Sequence, residues 1–220
     1  MEAHWPGPLT LVLPIGEDAG LAPAVTAGLP TVALRAPAHP ILRHLLAQLD
    51  FPLAAPSANR SGYISPTTPH HVLASLDGRI DAVIDGGPSE AGVESTIVAV
   101  RSDGSLEQLR PGPIEIAGAS TSEAATSVEA PGQLASHYAP GKPVRLGATE
   151  AETDEFLIAF GDIEGDCTLS RNGDLKEAAA RLYDCLHQAA ASAKPRVAIV
   201  AIPEEGVGKA INDRLRRAAA

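Results

Sequence analysis

Hydroxyl, amide and guanidinium side chains occur in this chain in short segments that follow apolar runs. Ser57, Ser61 and Ser65 recur every fourth residue in APSANRSGYIS, with Asn59 between the first two, and the apolar run TVAL ends at Arg35. Small residues let a backbone approach a ligand closely, and hydroxyl groups donate hydrogen bonds to phosphate oxygens. These residue types suit anion binding, but the same types dominate ordinary turns, so the residue types alone do not favour a binding site over a turn.

Two more polar segments stand at the ends of apolar runs later in the chain. Glu94, Ser95 and Thr96 come directly before IVAV, and Arg110 follows LEQL. A cation or hydroxyl group at the end of a strand can face a ligand. Equally, the arginine can be solvated, and the hydroxyl residues can form the polar edge of the strand. From the residue types alone, both interpretations stay open at these positions.

The residues that could act as metal ligands or nucleophiles do not have the required spacing. His70 and His71 are adjacent, whereas a metal-binding pair on one helix face needs a spacing of four. No GxSxG segment marks a serine nucleophile. Cys167 and Cys185 have no metal-type spacing, so we expect two free thiols in a reducing compartment and hence a cytoplasmic protein.

The composition of the chain argues against two classes of partner, nucleic acids and membranes. The chain has 220 residues and a net charge of −10, and its first lysine is Lys142. Because proteins that grip nucleic acid usually carry a basic patch, we expect little direct nucleic-acid binding. No apolar run has the length of a membrane span, and the N-terminus does not have the pattern of a signal peptide, so we expect no membrane association.

The patterning of the first half predicts a mixed α/β fold. Apolar runs bounded by turn residues predict strands, and helical periodicity predicts two helices. The second helix begins with Thr67 or Thr68 as its cap and Pro69 in its first turn, and an Asp-Gly turn joins the last two strands. The predicted strands are LTLVLP, TVALRAP, PLAAPSAN, DAVIDGG, STIVAV and LEQLRPG, and the helices lie in HPILRHLLAQLD and SPTTPHHVLASLDG.

The second half restarts the pattern after a polar, aperiodic segment. PVRLG, FLIAFG and PRVAIVAIP are predicted strands, and the segments beginning GDLKEAAARL and EGVGKAINDR are predicted helices. Strands that alternate with helices indicate a small parallel α/β domain. We assign residues 1–120 to a first domain, residues 121–143 to a linker that contains HYAP, and residues 144–220 to a second domain.

Taken in order, the polar motifs resemble those of one family. WPGPLTLVL, TVALRAPAHP, PLAAPSANRSGYISPT, DGGPSEAGVESTIV and LRPGPI look like consecutive motifs of the YrdC-like threonylcarbamoyl-adenylate synthases. HYAPGKPVRL and the region ending IPEEGVGKAINDRLRRAA resemble the linker and extra C-terminal domain of the long form of that enzyme. The resemblance implies an incomplete YrdC-like mixed α/β catalytic domain followed by a small Rossmann-like parallel domain.

The resemblance also implies a reaction. Such enzymes are nucleotidyltransferases that combine L-threonine, bicarbonate and ATP, the last with Mg²⁺. The threonine amine forms a carbamate, which attacks the α-phosphate and gives threonylcarbamoyl-AMP and pyrophosphate. A separate transferase complex then passes the threonylcarbamoyl group to an adenosine of tRNA. Little direct tRNA binding is expected of the synthase, which fits the acidic composition.

The binding residues of the family carry over to this chain position by position. A bidentate guanidinium suits a carboxylate, which is the reason for expecting Arg35 against the threonine carboxylate. Ala55 stands where the family often has threonine, so only its backbone can serve. The resemblance implies nucleotide binding by Thr31, Ser57, Asn59, Ser65, Arg110 and Tyr138, and threonine binding by Arg35, Ala55 and Ser95. It implies no catalytic side chain and no metal ligand among them.

One part of the family pattern is not found in this sequence. Family members carry a segment before WPGPLT with a lysine- and arginine-bearing motif for the triphosphate, whereas no lysine precedes Lys142 here. We therefore expect a synthase truncated at its N-terminus, which can be inactive as it stands. Two alternatives stay open. One is a non-catalytic nucleotide- or RNA-binding remnant of the family. The other is a carbamoyl-adenylate-forming maturation factor, which the lack of CxxC pairs disfavours.

Overall fold

A computed structural model describes residues 3–121, 129–130 and 136–220. The described residues form two compact units, and neither is one continuous stretch of chain. The first unit contains residues 1–55 and 94–134, and the second contains residues 56–93 and 135–220. Within the part of the chain that the structure describes, no helix is both long enough and apolar enough to cross a bilayer.

The first unit is built on a five-stranded mixed sheet with the strand order β2-β1-β3-β4-β5. β1 pairs antiparallel with β2 and parallel with β3, and β4 pairs antiparallel with β3 and parallel with β5. Two short helices, α1 and α2, complete the unit. The elements are β1 Leu9–Pro14, α1 Pro23–Thr26, β2 Thr31–Leu34, α2 Pro40–Leu46, β3 Thr96–Val100, β4 Leu106–Arg110 and β5 Ser120–Thr121.

Strands β1 and β3 form the centre of this unit because apolar side chains cover both of their faces. Val12 and Ile97 belong to an apolar cluster on one face, whereas Leu9, Leu11 and Val98 belong to a cluster on the other. Successive side chains of a strand point to opposite faces, so a continuous apolar run buries both. This explains why LTLVLP and TIVAV contain almost no polar residue.

The predicted hairpin between STIVAV and LEQLRPG is confirmed. β3 and β4 pair antiparallel, and the Arg101 N–H donates to the Ser105 carbonyl at 2.9 Å across the turn. The Asp103 carboxylate accepts the Ser105 N–H at 2.9 Å and the Ser105 hydroxyl at 2.6 Å. The aspartate therefore closes the turn with its side chain, as this residue type commonly does.

The second unit carries a four-stranded sheet, strand order β6-β9-β7-β8, in which every pairing is parallel. The predicted small parallel α/β domain is thus confirmed. Asp174 caps α4 by accepting the N–H groups of Lys176 and Glu177. The elements are α3 Pro69–Leu76, β6 Val144–Ala148, β7 Glu155–Ala159, β8 Cys167–Thr168, α4 Leu175–Ala191, β9 Arg196–Val200 and α5 Gly208–Ala218.

Residues 56–93 pack with the parallel domain. Ile64 and Val93 belong to the same apolar cluster as Leu182 and Leu186 of α4. α3 begins as predicted, because the Thr68 hydroxyl accepts the His71 N–H and Pro69 occupies the first turn. The division into residues 1–120, 121–143 and 144–220 stays a prediction, and most of the proposed linker lies outside the described residues.

Two predicted strands are wrong. PLAAPSAN and DAVIDGG form no strand in the structure. Pro52 and Pro56 lack the N–H that a ladder needs. In the second segment, the Asp85 carboxylate accepts the Gly87 N–H at 2.9 Å, a local turn that competes with strand pairing. The apolar residues suggested strands, but in these segments backbone N–H groups are absent at proline or already bonded within a local turn.

The prediction of two free thiols is also wrong. Cys167 and Cys185 form a disulfide with their Cα atoms 5.9 Å apart, a separation within the usual range for such bonds. The bond joins the short strand β8 to the middle of α4, and both residues are buried. Sequence spacing could not reveal this pairing, because only the packing of α4 on the sheet brings the two residues together.

An ion pair between the buried Glu155, at the start of β7, and the exposed Arg145 provides a test of stability. Glu155 is 1% exposed, and its carboxylate accepts from Arg145 Nε at 2.9 Å and from the Glu152 N–H at 2.9 Å. The Arg145 hydrogen bond, followed by the Glu152 N–H, lowers the pKa of Glu155 to about 2. Glu155→Gln should lower the free energy of unfolding by about 2 kcal/mol at pH 7, as expected for losing hydrogen bonds to a charged group.

The pH dependence of this effect follows from the lowered pKa of Glu155. The contribution of the carboxylate is complete above its ordinary pKa of about 4.3 and is lost as the pH falls toward 2. Denaturant unfolding at several pH values should therefore show a difference between wild type and Glu155→Gln that shrinks with acidification. Glu164→Gln, at an exposed position, is the control. A difference that is constant between pH 7 and pH 3 would contradict the prediction.

Candidate functional site

Ser95 and Arg110, both predicted to bind substrate, lie together in the first unit. The Arg110 Nε and Nη2 atoms donate to the Ser95 carbonyl at 3.1 and 2.9 Å, and Nη2 also lies 3.2 Å from the Ser95 hydroxyl. That hydroxyl is in turn 2.6 Å from the hydroxyl of Thr10. Arg110 ends β4 and Ser95 precedes β3, so the antiparallel hairpin brings them face to face.

The Ser95–Arg110 pair is buried, with 5% and 6% of the two residues exposed. A buried guanidinium needs hydrogen-bond acceptors, and the Ser95 carbonyl supplies one. The arrangement places a positive charge beside the Ser95 hydroxyl, which in turn contacts the hydroxyl of Thr10. Such a group can stabilise an anion without moving, because its position is set by the hairpin.

Arg35 lies directly after β2 and is exposed. Its Nε donates to the Gly7 carbonyl at 3.1 Å, and the Gly7 N–H donates to the Ala36 carbonyl at 2.8 Å. These two hydrogen bonds tie the end of β2 to the WPGP segment. The Nη groups of Arg35 make no hydrogen bond to any residue the structure describes, so this end of the guanidinium can reach a ligand carboxylate.

The other two residues of the first unit that are predicted to bind substrate, Thr31 and Ala55, have no distinctive contacts with the described residues that support the prediction. Thr31 begins β2 opposite Pro14 and is half-buried. Ala55 is exposed and lies outside any helix or strand. Their predicted contacts with nucleotide and threonine stay predictions.

The serine loop, residues 56–65, lies in the second unit and is shaped by its asparagine. Asn59 Nδ2 donates to the carbonyls of Arg60 and Tyr63 at 3.0 and 2.9 Å. Its Oδ1 is buried and has no hydrogen-bond partner among the described residues. Ala58 has a positive φ of 57°, which costs free energy for a residue other than glycine and is typical of functional sites.

The two predicted serines at the ends of the serine loop differ in exposure. Ser57 is exposed, whereas Ser65 is 5% exposed. The Ser65 carbonyl lies 3.2 Å from Nε2 of His187 in α4. The loop is therefore open at its beginning and fixed at its end.

Tyr138 of the HYAP motif is the most constrained residue among the predicted ones. It is 1% exposed and has a positive φ of 63°. Its ring packs against that of Tyr183, with centroids 5.5 Å apart, and the Arg214 guanidinium carbon lies 5.8 Å from its centroid. The next residue, Ala139, donates its N–H to the Gly62 carbonyl at 3.0 Å. HYAP thus lies against the serine loop with a strained backbone.

The structure distributes the predicted residues over both units. It joins Ser95 to Arg110 in the first, and it links the serine loop to the HYAP segment in the second. Sequence reasoning did not single out Thr10 or His187, because their partners are far away in sequence and no motif marks them. Among the described residues, no three His, Cys, Asp or Glu side chains are grouped as a metal site.

Two family profiles match the chain. The Sua5_yciO_yrdC profile, described as "Telomere recombination", matches residues 1–112. A second profile, "Threonylcarbamoyl-AMP synthase, C-terminal domain", matches residues 102–220. Together the two matches extend over the full length of the chain.

Proteins named threonylcarbamoyl-AMP synthase are similar over nearly the whole chain. The Bacillus subtilis protein is 37% identical, over 100% of this chain and 71% of its own length. The Pyrococcus abyssi protein is 34% identical, over 97% and 71%. The crystal structure of P. abyssi Sua5 complexed with L-threonine matches with a TM-score of 0.87 at 31% identity, covering 99% of this chain and 72% of that one.

Proposed function

Since the chain belongs to the Sua5/YciO/YrdC family, in the form with the threonylcarbamoyl-AMP synthase C-terminal domain, we propose that it makes threonylcarbamoyl-AMP from L-threonine, bicarbonate and ATP. The observation that carries the proposal is the similarity to synthases along the entire chain, at 37% identity to the Bacillus subtilis enzyme. A likeness limited to one domain would support only the fold.

The proposed reaction has two steps. The threonine amine and bicarbonate form a carbamate and release water. A carbamate oxygen then attacks the α-phosphorus of ATP, and the bond to pyrophosphate breaks. Since charge develops on the phosphate oxygens and on the leaving pyrophosphate, fixed cations and N–H donors are what the protein must supply.

We assign the threonine end of the substrate to Arg35 and Ser95. The exposed Nη groups of Arg35 suit a carboxylate because a guanidinium can donate two parallel hydrogen bonds to it. Its Nε is already held by the Gly7 carbonyl, which fixes the orientation of the guanidinium plane. The Ser95 hydroxyl, positioned by Arg110 and Thr10, is a hydrogen-bonding group for the same substrate. Threonine is also the ligand of the P. abyssi Sua5 structure.

We assign the nucleotide to the serine loop and Tyr138, which both lie in the second unit. Ser57 offers an exposed hydroxyl from the loop, and a hydroxyl can donate to a phosphate oxygen. The contact of Arg110 with a nucleotide phosphate stays a prediction from the resemblance. Mg²⁺ enters this proposal as part of the Mg–ATP substrate. The product would pass to a transferase complex that modifies tRNA. We propose the cytoplasm as the compartment because of this partner, since the Cys167–Cys185 disulfide removes the argument from free thiols.

Pyrophosphate release by the 220-residue chain tests the proposal. We expect release with Mg–ATP only when both threonine and bicarbonate are present, and the adenylate should appear in equal amount by mass spectrometry. A folded chain that binds ATP but releases no pyrophosphate would indicate a non-catalytic remnant. Release without threonine but with bicarbonate and carbamoyl phosphate would favour the carbamoyl-adenylate alternative.

A further inference from the structure

Two histidines of the second unit form a stacked pair beside the serine loop. His71 lies in α3 and His187 in α4, and their ring centroids are 3.9 Å apart with an angle of 20° between the ring planes. The ring of Tyr63, from the serine loop, meets His187 edge-on at 6.0 Å. The pair therefore joins the loop and the helix that follows it to the longest helix of the parallel domain.

Hydrogen bonds constrain the protonation of one nitrogen in each ring. The Ser65 carbonyl can only accept, so the His187 Nε2 atom that lies 3.2 Å from it must carry a proton. The Thr67 N–H can only donate, so the His71 Nδ1 atom that lies 3.3 Å from it must be unprotonated. The two contacts thus require a proton on Nε2 of His187 and a neutral His71 ring that carries its proton on Nε2.

Burial of the pair favours neutral rings, although the nearby Asp184 carboxylate favours charged ones. Burial and then the His71 ring lower the pKa of His187 to about 4. Burial also lowers the pKa of His71, although Asp184, whose Oδ1 is 3.7 Å from His71 Nε2, acts in the opposite direction. His70 also lies nearby, with its ring centroid 6.3 Å from that of His71. Near pH 7 His187 is therefore a neutral donor.

We propose that His187 is a positioning residue for ATP binding, which holds the end of the serine loop through its hydrogen bond to the Ser65 carbonyl. The inference rests on the proposed function in one respect, the assignment of the loop to the nucleotide. The loop carries Ser57 at its open end and is tied at Ser65. A donor supplied by α4 therefore makes the parallel domain a structural part of the nucleotide site.

Two substitutions separate the hydrogen bond from the stacking. His187→Phe keeps a ring against His71 and removes the donor. His187→Gln restores an N–H near the position of Nε2. His44→Phe makes the same change at an exposed histidine of α2 and is the control. The measurements are hydrogen exchange of the amides in residues 57–67 of the unliganded chain, and the affinities for Mg–ATP and for threonine.

We expect His187→Phe to speed amide exchange in residues 57–67 and to weaken Mg–ATP binding about three- to tenfold, the range expected for one lost hydrogen bond. Threonine affinity should not change, and His187→Gln should recover most of both losses. A merely structural role for the ring would instead leave Gln no better than Phe.

Several outcomes would overturn the inference. Unchanged exchange in His187→Phe would show that the hydrogen bond does not hold the loop. Faster exchange with unchanged ATP affinity would show that the held loop does not bind the nucleotide. A wild-type chain that binds no ATP would contradict the proposed function instead, and the exchange measurement would still decide whether His187 holds the loop.

Discussion

Gly92→Ala should lower the free energy of unfolding of the second unit by about 4 kcal/mol, the sum of left-handed backbone strain and an overpacked contact. Gly92 has a positive φ of 66°, and a Cβ built on it would lie 2.1 Å from the carbonyl oxygen of Ala179 and 2.3 Å from the Cα of Ala180. Both atoms belong to the backbone of α4, so no side-chain rotation can relieve the clash.

Gly87→Ala is the matched control for this prediction. Gly87 also has a positive φ, of 78°, but a Cβ there would meet nothing within 4 Å. Its substitution should therefore cost only the backbone strain, about 1–2 kcal/mol. Denaturant unfolding followed by circular dichroism measures both variants. Equal losses for the two would mean that α4 moves away from Gly92 at little cost, contrary to the prediction.

Arg35→Ala should weaken threonine binding about 10- to 100-fold and leave ATP binding unchanged. The expected loss is that of charge-assisted hydrogen bonds between a guanidinium and a carboxylate. Arg35→Lys keeps the charge but not the fork of two donors, so its affinity should lie between those of alanine and wild type. Isothermal titration calorimetry with threonine and with Mg–ATP provides the measurement.

Arg43→Ala is the control for Arg35→Ala, because Arg43 is an exposed arginine of α2 and should affect neither ligand. The Arg35 side chain also holds the Gly7 carbonyl, so the melting temperature of each variant must be compared with wild type. Parallel losses of threonine and ATP affinity would assign Arg35 a structural or phosphate-binding role. That result would refute its role as the partner of the threonine carboxylate.

Elements with strong local signals could be predicted from the sequence. The apolar run before Arg35, the Asp-Gly hairpin and the cap of α3 at Thr68 are each determined by neighbouring residues, and the structure confirms all three. The alternation of strands and helices likewise predicted the parallel sheet of residues 144–220. In these cases the hydrophobic periodicity and the turn residues determine where each element begins and ends.

Features that depend on distant contacts could not be predicted from the pattern. The disulfide between Cys167 and Cys185 and the contact of His187 with Ser65 exist only because helices pack on sheets in a particular way. The resemblance to a family predicts that Ser95 and Arg110 bind substrate, but it does not predict that they bond to each other. Sequence reasoning found the polar groups and missed most of what positions them.

The placement of residues 56–93 in the second unit has a consequence for how the protein is made. A chain emerges from the ribosome in order and its domains tend to fold as they emerge, but this segment packs with residues 136–220. The serine loop cannot pack against its apolar partners in α4 until most of the remaining chain has been synthesised. Premature termination anywhere before α4 would therefore release a protein whose serine loop lacks its apolar partners. We expect such products to be targets for chaperones and proteases.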